Sequence, residues 1–595
     1  MPNSPLPAGT VFLLDMLQKK RALLFRSASR EIVCRELREV PDFLREVETA
    51  RAQGAHVAGF LAYELGYAFE PKLRERWQRT GDLLGWFGVY DAPETLSLSD
   101  AEDLLAAAAG NKTSSLGPPE FDMTSDQYGD AFAKVRDHLA KGDIFQVNLT
   151  IRASLRHEGS PEALFLRLMR NQPVAHAAYL HLEDRAVLSL SPELFLEREG
   201  KILRTRPMKG TAPRGLDEDG DQRIACDLAS DPKQRAENTM IVDLMRNDLS
   251  RISVPGSVQV TKLCDVERYQ SLFQMTSTIE AELEEDVEFS RIIENLFPCG
   301  SITGAPKLSA MLIADRLETS PRGIYTGSIG HIEPSGDFAF NVAIRTLDLR
   351  KDGRCIAGTG SGVVFDSGAG PEYDECKLKL SFISRETKSF ELLETLAWMP
   401  NEGFVLLERH LARLASSARY FAYDFDRERL CAELTRRAEG WSGPQRIRVL
   451  LGKDGGVSIS AAPLVSASDN TVWHVRIASQ RTRSDDVFLY HKTTNRAFYD
   501  DTRQQMAAES GCDEVLFVNE AGYLTEGSFT SLFVAQNGRL LTPGLRHGLL
   551  PGTFRAGLLE QGIAVEADLR REDLGGAKVF VGNSVRGLIP VTVIS

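Results

Sequence analysis

No run in the sequence approaches the roughly 20 consecutive apolar residues that a helical membrane span requires. The start, MPNSPLPAGTVFLLDML, has prolines and an aspartate where a secretory signal needs a basic region and a longer apolar run. Basic blocks are missing too. Lysine and arginine total 70 against 83 aspartates and glutamates, a formal net charge of −13, and no stretch stands out to neutralise nucleic-acid phosphates. The 8 cysteines (Cys34, Cys226, Cys264, Cys299, Cys355, Cys376, Cys431 and Cys512) show no paired metal or redox spacing, which fits free thiols in a reducing compartment. Low-complexity tracts and internal repeats are absent as well. These absences leave a cytoplasmic protein that engages neither membrane nor nucleic acid as the expectation. Small anionic substrates stay open, since local arginines and helix ends can catch them.

At 595 residues the chain is too long for one core. The segment NKTSSLGPPEFDMT reads as a loop or linker because it is polar and carries Gly-Pro-Pro. Beyond it comes a helix (DQYGDAFAKVRDHLAKG) and a β-branched, alternating strand (DIFQVNLTIRASL). Strands joined by turns are expected over 176–205, a long helix over about 233–250, and a meander over 323–366. Near SRETKSF the pattern restarts. The expected architecture is α+β and multidomain: an N-terminal region over 1–115, a large unit over 120–385 and a smaller one over 390–595.

Several residues of the large unit look placed for chemistry. Lys209 lies in RTRPMKGTAPRG, a short turn bounded by Pro207 and Pro213; alone it reads as a surface charge. In RAENTMIVDLMRNDLSRI the apolar stripe Met240, Ile241, Leu244, Met245, Leu249 puts Glu237 on the inward face, where a carboxylate needs a partner or a cation. Glu372, Glu375 and Lys379 share one face of EYDECKLKLSFISRE, although Glu375 and Lys379 also make an ordinary i, i+4 pair. Two acidic helices without a histidine or cysteine pattern suit Mg²⁺ better than Zn²⁺. Between them, FPCGSITGAPKLSAML reads as a glycine turn into a helix, with Thr303 near the cap and Pro306 in the first turn, an end that binds carboxylates. In FAFNVAIRTL, Arg345 is expected on a strand face with Asn341 and Ala343. Gly358, Gly360 and Gly362 alternate on the next strand, which calls for close backbone approach.

The motifs SPELFL, PMKGTAPRG, AENTMIVDLMRNDL, GSITGAPK, YTGSIG, FNVAIRT and PEYDECKLK resemble those of the chorismate-utilising enzymes, in the family's order over about 120–385. The chain is most similar to the members that aminate chorismate at carbon 4. The resemblance implies an α/β sandwich with the active site between its layers. It implies Mg²⁺ held by Glu237 and Glu375, with the ion gripping the ring carboxylate. Tyr325, Arg345 and the amides around Gly360 and Gly362 would bind the enolpyruvyl carboxylate or its surroundings, with Thr303 and Lys379 also at the substrate. Glu193 of SPELFL would be the general acid at the departing 4-hydroxyl. Gln146 of IFQVN stands where isochorismate- and salicylate-forming members carry a lysine base, which disfavours those reactions. Anthranilate-forming members carry alanine where Lys209 stands and typically histidine where Gln274 stands. Nothing resembles a glutaminase, so ammonia would come from a separate glutamine amidotransferase subunit.

In the smaller unit, LYHKTTNRAFYD places Lys492 at a strand-to-loop junction, YLTEGSFTSLFVA places Glu526 at the head of a strand, and HGLLPGTFRAGLLEQ turns into a helix with Thr553 near its start. Lysine, acid and phosphate cup are what pyridoxal phosphate needs. The order resembles the fold-type IV pyridoxal-phosphate enzymes, which include branched-chain and D-amino-acid aminotransferases and aminodeoxychorismate lyase. By that resemblance Lys492 bonds the cofactor, Glu526 meets its ring nitrogen, and Arg413, Gly552 and Thr553 meet its phosphate; a homodimer through this unit is implied. Ser531 departs from the family's asparagine, and the stretch before FELLETL does not resemble the family's first strand. Together the units imply amination of chorismate with Lys209 as nucleophile, then pyruvate elimination to 4-aminobenzoate, a folate precursor. The alternatives are an anthranilate-forming component joined to an aminotransferase of other specificity, and a chorismate-binding protein without catalysis.

Overall fold

The computed structural model describes residues 5–77, 81–269, 272–384, 389–464 and 472–594. The chain divides into two compact units, one of Met1–Ala212 with Asp227–Thr387, the other of Pro213–Cys226 with Lys388–Ser595. Most of the junction read at SRETKSF, 385–388, lies outside the described residues.

The first unit is built on two large, almost wholly antiparallel sheets. One contains the strands Gln146–Gly159, Arg354–Val363, Thr346–Arg350, Arg185–Ser191, His176–His181, Thr10–Asp15 and Arg21–Phe25 in neighbouring order. The other contains Leu272–Glu282, Ile202–Arg206, Leu194–Glu199, Phe338–Asn341, Ser328–Ile332, His56–Leu61 and Gly85–Tyr90. Val11, Phe25, Leu180 and Val187 from the first sheet meet Phe60, Trp86 and Ile329 from the second in one buried cluster, so the sheets face each other. Helices cover the outer faces, Val40–Ala52 and Pro232–Leu249 on one side and Leu98–Ala109 and Pro161–Asn171 on the other. This is the α/β sandwich that alternating strands and amphipathic helices require. The region expected over 1–115 contributes strands to both sheets.

Three local readings are corrected. The meander over 323–366 does not stay in one sheet: Ser328–Ile332 and Phe338–Asn341 belong to one, Thr346–Arg350 and Arg354–Val363 to the other. The crossing falls at 342–345, so Arg345 is not on a strand face with Asn341 and Ala343. It takes φ +51°, in the left-handed region, where the chain turns from sheet to sheet. Thr303 does not cap the helix Lys307–Leu317, whose cap residue is Pro306; the Thr303 hydroxyl donates to the Gly300 carbonyl at 3.1 Å. Lys492 follows a short 3-10 turn, Val487–Leu489, rather than a strand, and its carbonyl accepts from Leu393 N at 2.9 Å.

A buried ionic knot ties the first unit together. The Glu318 carboxylate accepts from Arg322 at 2.7 and 3.0 Å, Arg152 at 3.1 Å and Thr150 N at 3.1 Å. Burial pushes its pKa up, but the two guanidinia win and hold it below the usual carboxylate range. Arg322 also donates to the carbonyls of Ile302 and Asn148, at 2.9 and 2.8 Å, and Arg152 lies 5.5 Å from the centroid of the Tyr325 ring. The knot therefore fixes the loop and strands that carry the site.

The second unit pairs a four-stranded antiparallel sheet, which includes Leu392–Met399, Gln445–Leu451 and Val457–Pro463, with an eight-stranded mixed sheet. The four-stranded sheet packs its apolar side against the helices Leu407–Phe421 and Arg427–Ala438.

Glu318→Ala strands two guanidinia in the interior. It should lower the stability of the first unit by about 3–5 kcal/mol, read as an earlier transition in chemical denaturation. A change below about 1 kcal/mol would mean that water already satisfies the arginines.

Candidate active sites

The centre of the first unit's site is the bare face of the strand Arg354–Val363. A methyl group added at Gly358 would lie 2.7 Å from Tyr325 Cβ, and one at Gly360 2.6 Å from Thr150 Cγ2. At Gly362 it would lie 3.0 Å from Lys209 Nζ and 3.1 Å from Asn148 Oδ1, with Gln146 Nε2 nearer still. The three glycines are small because aromatic ring, methyl and amine each rest on the backbone. Lys209 is thereby placed beside the Gln146 and Asn148 amides. Both polar atoms of the Gln146 side chain are buried without a hydrogen-bond partner among the described residues, so its amide is available to a ligand.

Burial lowers the pKa of the Lys209 amine, with Lys379 adding to the effect and the Glu193, Glu237 and Glu375 carboxylates opposing it. Glu193 is 4% exposed, and burial raises it to about 7, with the Ser301 hydroxyl (2.6 Å from Oε1) and Lys209 pulling the other way. A carboxyl that titrates near neutrality can give up a proton at working pH. Cys299 Sγ lies 3.1 Å from Ser301 Oγ, and Asn148 Nδ2 donates to the Ser301 carbonyl at 2.7 Å. Asn148 and Ser301 were not read from the sequence. Asn148 follows Gln146 by two on one strand and so shares its face, a signal that was there to be used. Ser301 carried none.

Burial raises Glu237, countered by Lys209 and Lys233 and reinforced by Glu372 and Glu375, so these carboxylates face one another electrostatically. Glu375 pairs with Lys379 at 2.7 Å, and Lys379 also donates to the Gly360 carbonyl at 2.9 Å. Among the described residues no three acidic, histidine or cysteine side chains are gathered closely enough to hold an ion alone. Separated hard oxygen donors of this kind fit Mg²⁺, which keeps waters and takes substrate oxygens. Arg345 lines a small cleft with Tyr269 and Gln274, and Gln274 Nε2 donates to the Gly210 carbonyl at 2.9 Å, which places the cleft beside Lys209, in a stretch that is the strand Met208–Pro213 and not the short turn expected.

The second unit holds a cavity of about 910 Å³, lined in part by Lys492, Glu526, Arg413, Gly552, Thr553 and Ser531. Burial lowers the Lys492 amine to about 7, helped by Arg413 and Arg496. Burial raises Glu526 to about 7, against the Leu550 amide and the Tyr499 hydroxyl at 3.0 Å. Arg413 pairs with the buried Glu394 at 2.7 Å; His410 lies 2.6 Å from that carboxylate, 3.0 Å from Ser584 Oγ and 3.3 Å from Thr553 Oγ1. A methyl at Gly552 would lie 2.7 Å from Ser531 Oγ. Reactive amine, facing acid and a hydroxyl- and guanidinium-lined cup fit pyridoxal phosphate. Glu394, His410, Ser584 and Tyr499 were not read from the sequence. Glu394 was legible as an acid between Leu392 and Leu396 on an inward strand face, whereas Ser584 comes from a distant loop.

Fold and site together define an enzyme with one chorismate-type centre and one pyridoxal-phosphate-type centre. Residues 11–385 match the chorismate binding enzyme family, to which the chain belongs, and residues 391–594 match amino-transferase class IV. Aminodeoxychorismate synthase component 1 from Escherichia coli is 38% identical over 346 residues, 55% of this chain and 76% of that protein. Anthranilate synthase component 1 from Aquifex aeolicus is 37% identical over 253 residues, 42% of this chain and 51% of that protein. The solved anthranilate synthase component I from Streptococcus pneumoniae is 26% identical, with a TM-score of 0.54 over 62% of this chain and 94% of that one.

Gly362→Ala should cut ammonium-dependent consumption of chorismate at least tenfold while shifting thermal unfolding by no more than a few degrees, because the added methyl meets the Gln146 and Asn148 amides and the Lys209 amine and not the apolar core. Unchanged turnover would show that Lys209 need not occupy this position.

Proposed function

We propose that the chain makes 4-aminobenzoate from chorismate in two steps, one in each unit. The supporting observation is the placement of Lys209: a desolvated amine against Gly362, flanked by the unsatisfied Gln146 amide and within electrostatic reach of Glu193. Lys209 Nζ attacks carbon 2 of chorismate as the 4-hydroxyl leaves, and Glu193 gives that oxygen its proton. Ammonia, supplied by a separate glutamine amidotransferase subunit, then adds at carbon 4 and expels Lys209. The product is 4-amino-4-deoxychorismate. Tyr325, Arg345 and the amides of Gly360 and Gly362 hold the enolpyruvyl carboxylate, with Thr303 and Lys379 at the margin of the site. Mg²⁺ at Glu237 and Glu375 would neutralise the ring carboxylate.

In the second unit, pyridoxal phosphate at Lys492 would supply the electron sink for a carbanion. Arg413, Thr553 and the Gly552 turn hold its phosphate and Glu526 its ring nitrogen. Lys492 Nζ takes the proton from carbon 4 of the aminated intermediate. The enolpyruvyl group then leaves carbon 3 as pyruvate and the ring becomes aromatic. Two copies pair through this unit.

Purified chain with chorismate, ammonium, Mg²⁺ and pyridoxal phosphate should yield 4-aminobenzoate, identified by chromatography, and Lys209→Ala should reduce that yield about 100-fold or more. Anthranilate as product, or an unaffected variant, would overturn the assignment. Because the Lys492 amine titrates near 7, its free-base fraction rises about tenfold between pH 6 and pH 8. Borohydride-trapped labelling of Lys492 by pyridoxal phosphate should rise in the same proportion and level off above pH 8. A profile that climbs steadily to pH 10 would mean an ordinary, solvated lysine.

A further inference from the structure

The wall of the second unit's cavity carries positive charge that the cofactor cup does not use. Of the other arginines around it, Arg413 pairs with Glu394, Arg496 with Asp500 and Arg483 with Asp485, and Arg481 donates to the Glu520 carbonyl; Arg503 and Arg586 lie over the Phe529 and Trp473 rings, the buried Arg503 Nε without a hydrogen-bond partner among the described residues. Its acids are engaged as well. Asp486 caps the turn Val487–Leu489, Asp500 holds Arg496, and Glu526 accepts from Tyr499. Arg446 and Arg448 line the same cavity, and among the described residues neither has a carboxylate within ion-pair distance.

Their position follows from the strand they occupy. In Gln445–Leu451 the side chains of Ile447, Val449 and Leu451 are buried in the core, so Arg446 and Arg448 stand on the opposite, cavity-facing side. Across the sheet Arg448 is flanked by Thr395 and Ser460, and Arg446 by Ala397 and Ala462. Short neighbours leave both guanidinia uncovered. A solvated sheet face ordinarily mixes signs of charge; this one offers two cations and no acid. The ladder also sets a distance scale. Leu393 N is bonded to the Lys492 carbonyl, and Thr395 and Ala397 lie two and four residues further along the same strand. At about 3.3 Å per residue, the backbone positions opposite Arg448 and Arg446 are about 7 and 13 Å from that contact.

We propose that Arg448 and Arg446 take the carboxylates of the second unit's substrate, making it selective for an amino compound with two carboxylates over amino acids with apolar side chains. Arg448 suits a carboxylate one ring's width from the reacting amine, and Arg446 a second on a longer arm. Guanidinium–carboxylate pairs are geometrically selective, and lysine or glutamine reproduces them poorly. The proposal rests on the reading of this unit as an enzyme of amino compounds; it adds which residues choose the substrate.

The test uses the full chain loaded with pyridoxal phosphate. Benzene-1,3-dicarboxylate and benzoate are titrated while the cofactor's visible absorbance is followed, so that only binding in this cavity is read. The dicarboxylate should bind the unaltered chain at least tenfold more tightly than benzoate. Arg446→Gln and Arg448→Gln should each remove most of that preference, and the double variant all of it. With 4-amino-4-deoxychorismate the same variants should raise KM more than they lower kcat. Unchanged dicarboxylate affinity in the variants would overturn the proposal. So would loss of the cofactor absorbance, which would assign the arginines to the cofactor. If the dicarboxylate preference depends on the arginines but no 4-aminobenzoate forms, the two-step reading fails and the substrate-selecting role stands.

Discussion

Taking a lysine out of water favours its neutral form, and each unit places one such lysine at the heart of its site. Lys209 and Lys492 both have pKa values lowered chiefly by burial, with a second cation nearby (Lys379 in one case, Arg413 in the other) adding to the effect. Each also faces a carboxyl that burial raises to about 7, Glu193 and Glu526. The same desolvation thus moves amine and acid alike toward their uncharged forms. Much of the surrounding structure serves that condition. The glycine face of Arg354–Val363 lets Lys209 lie against backbone, and the Glu318 knot holds the strands and loop that enclose it.

Much of this was legible in the sequence, and unevenly. The helix expected over about 233–250 is Pro232–Leu249, because its apolar stripe repeats at helical spacing. The alternating glycines correctly announced close approach, since a strand tolerates them only where something needs the room. The path through FNVAIRT was misread because alternation within one strand cannot show that the chain changes sheets. The positive φ at Arg345 marks the crossing, and nothing in the residue type signals it, since arginine has no preference for that region. Pro306, expected in the first turn of its helix, is the cap residue itself, and the nearby Thr303 hydroxyl is committed to the Gly300 carbonyl.

The supporting residues follow a similar division. Asn148 and Glu394 sit on strands at positions that periodicity can reach. Ser301, His410 and Ser584 act through hydrogen bonds between segments distant in the chain, which periodicity cannot report. Residues that contact a ligand tend to fall in local motifs, while those that orient the contacting groups are recruited by the fold.

The division of the chain has a consequence for how it can be taken apart. Pro213–Cys226 belongs to the second unit although it is flanked on both sides by the first, and it leaves the first unit four residues after Lys209. The peptide chain therefore passes between units three times. No single cut yields both units whole: cleavage near 387 releases a fragment lacking its 213–226 portion, and earlier cleavage splits the first unit. The two units are thus joined by the path of the backbone, not merely by a tether at one end.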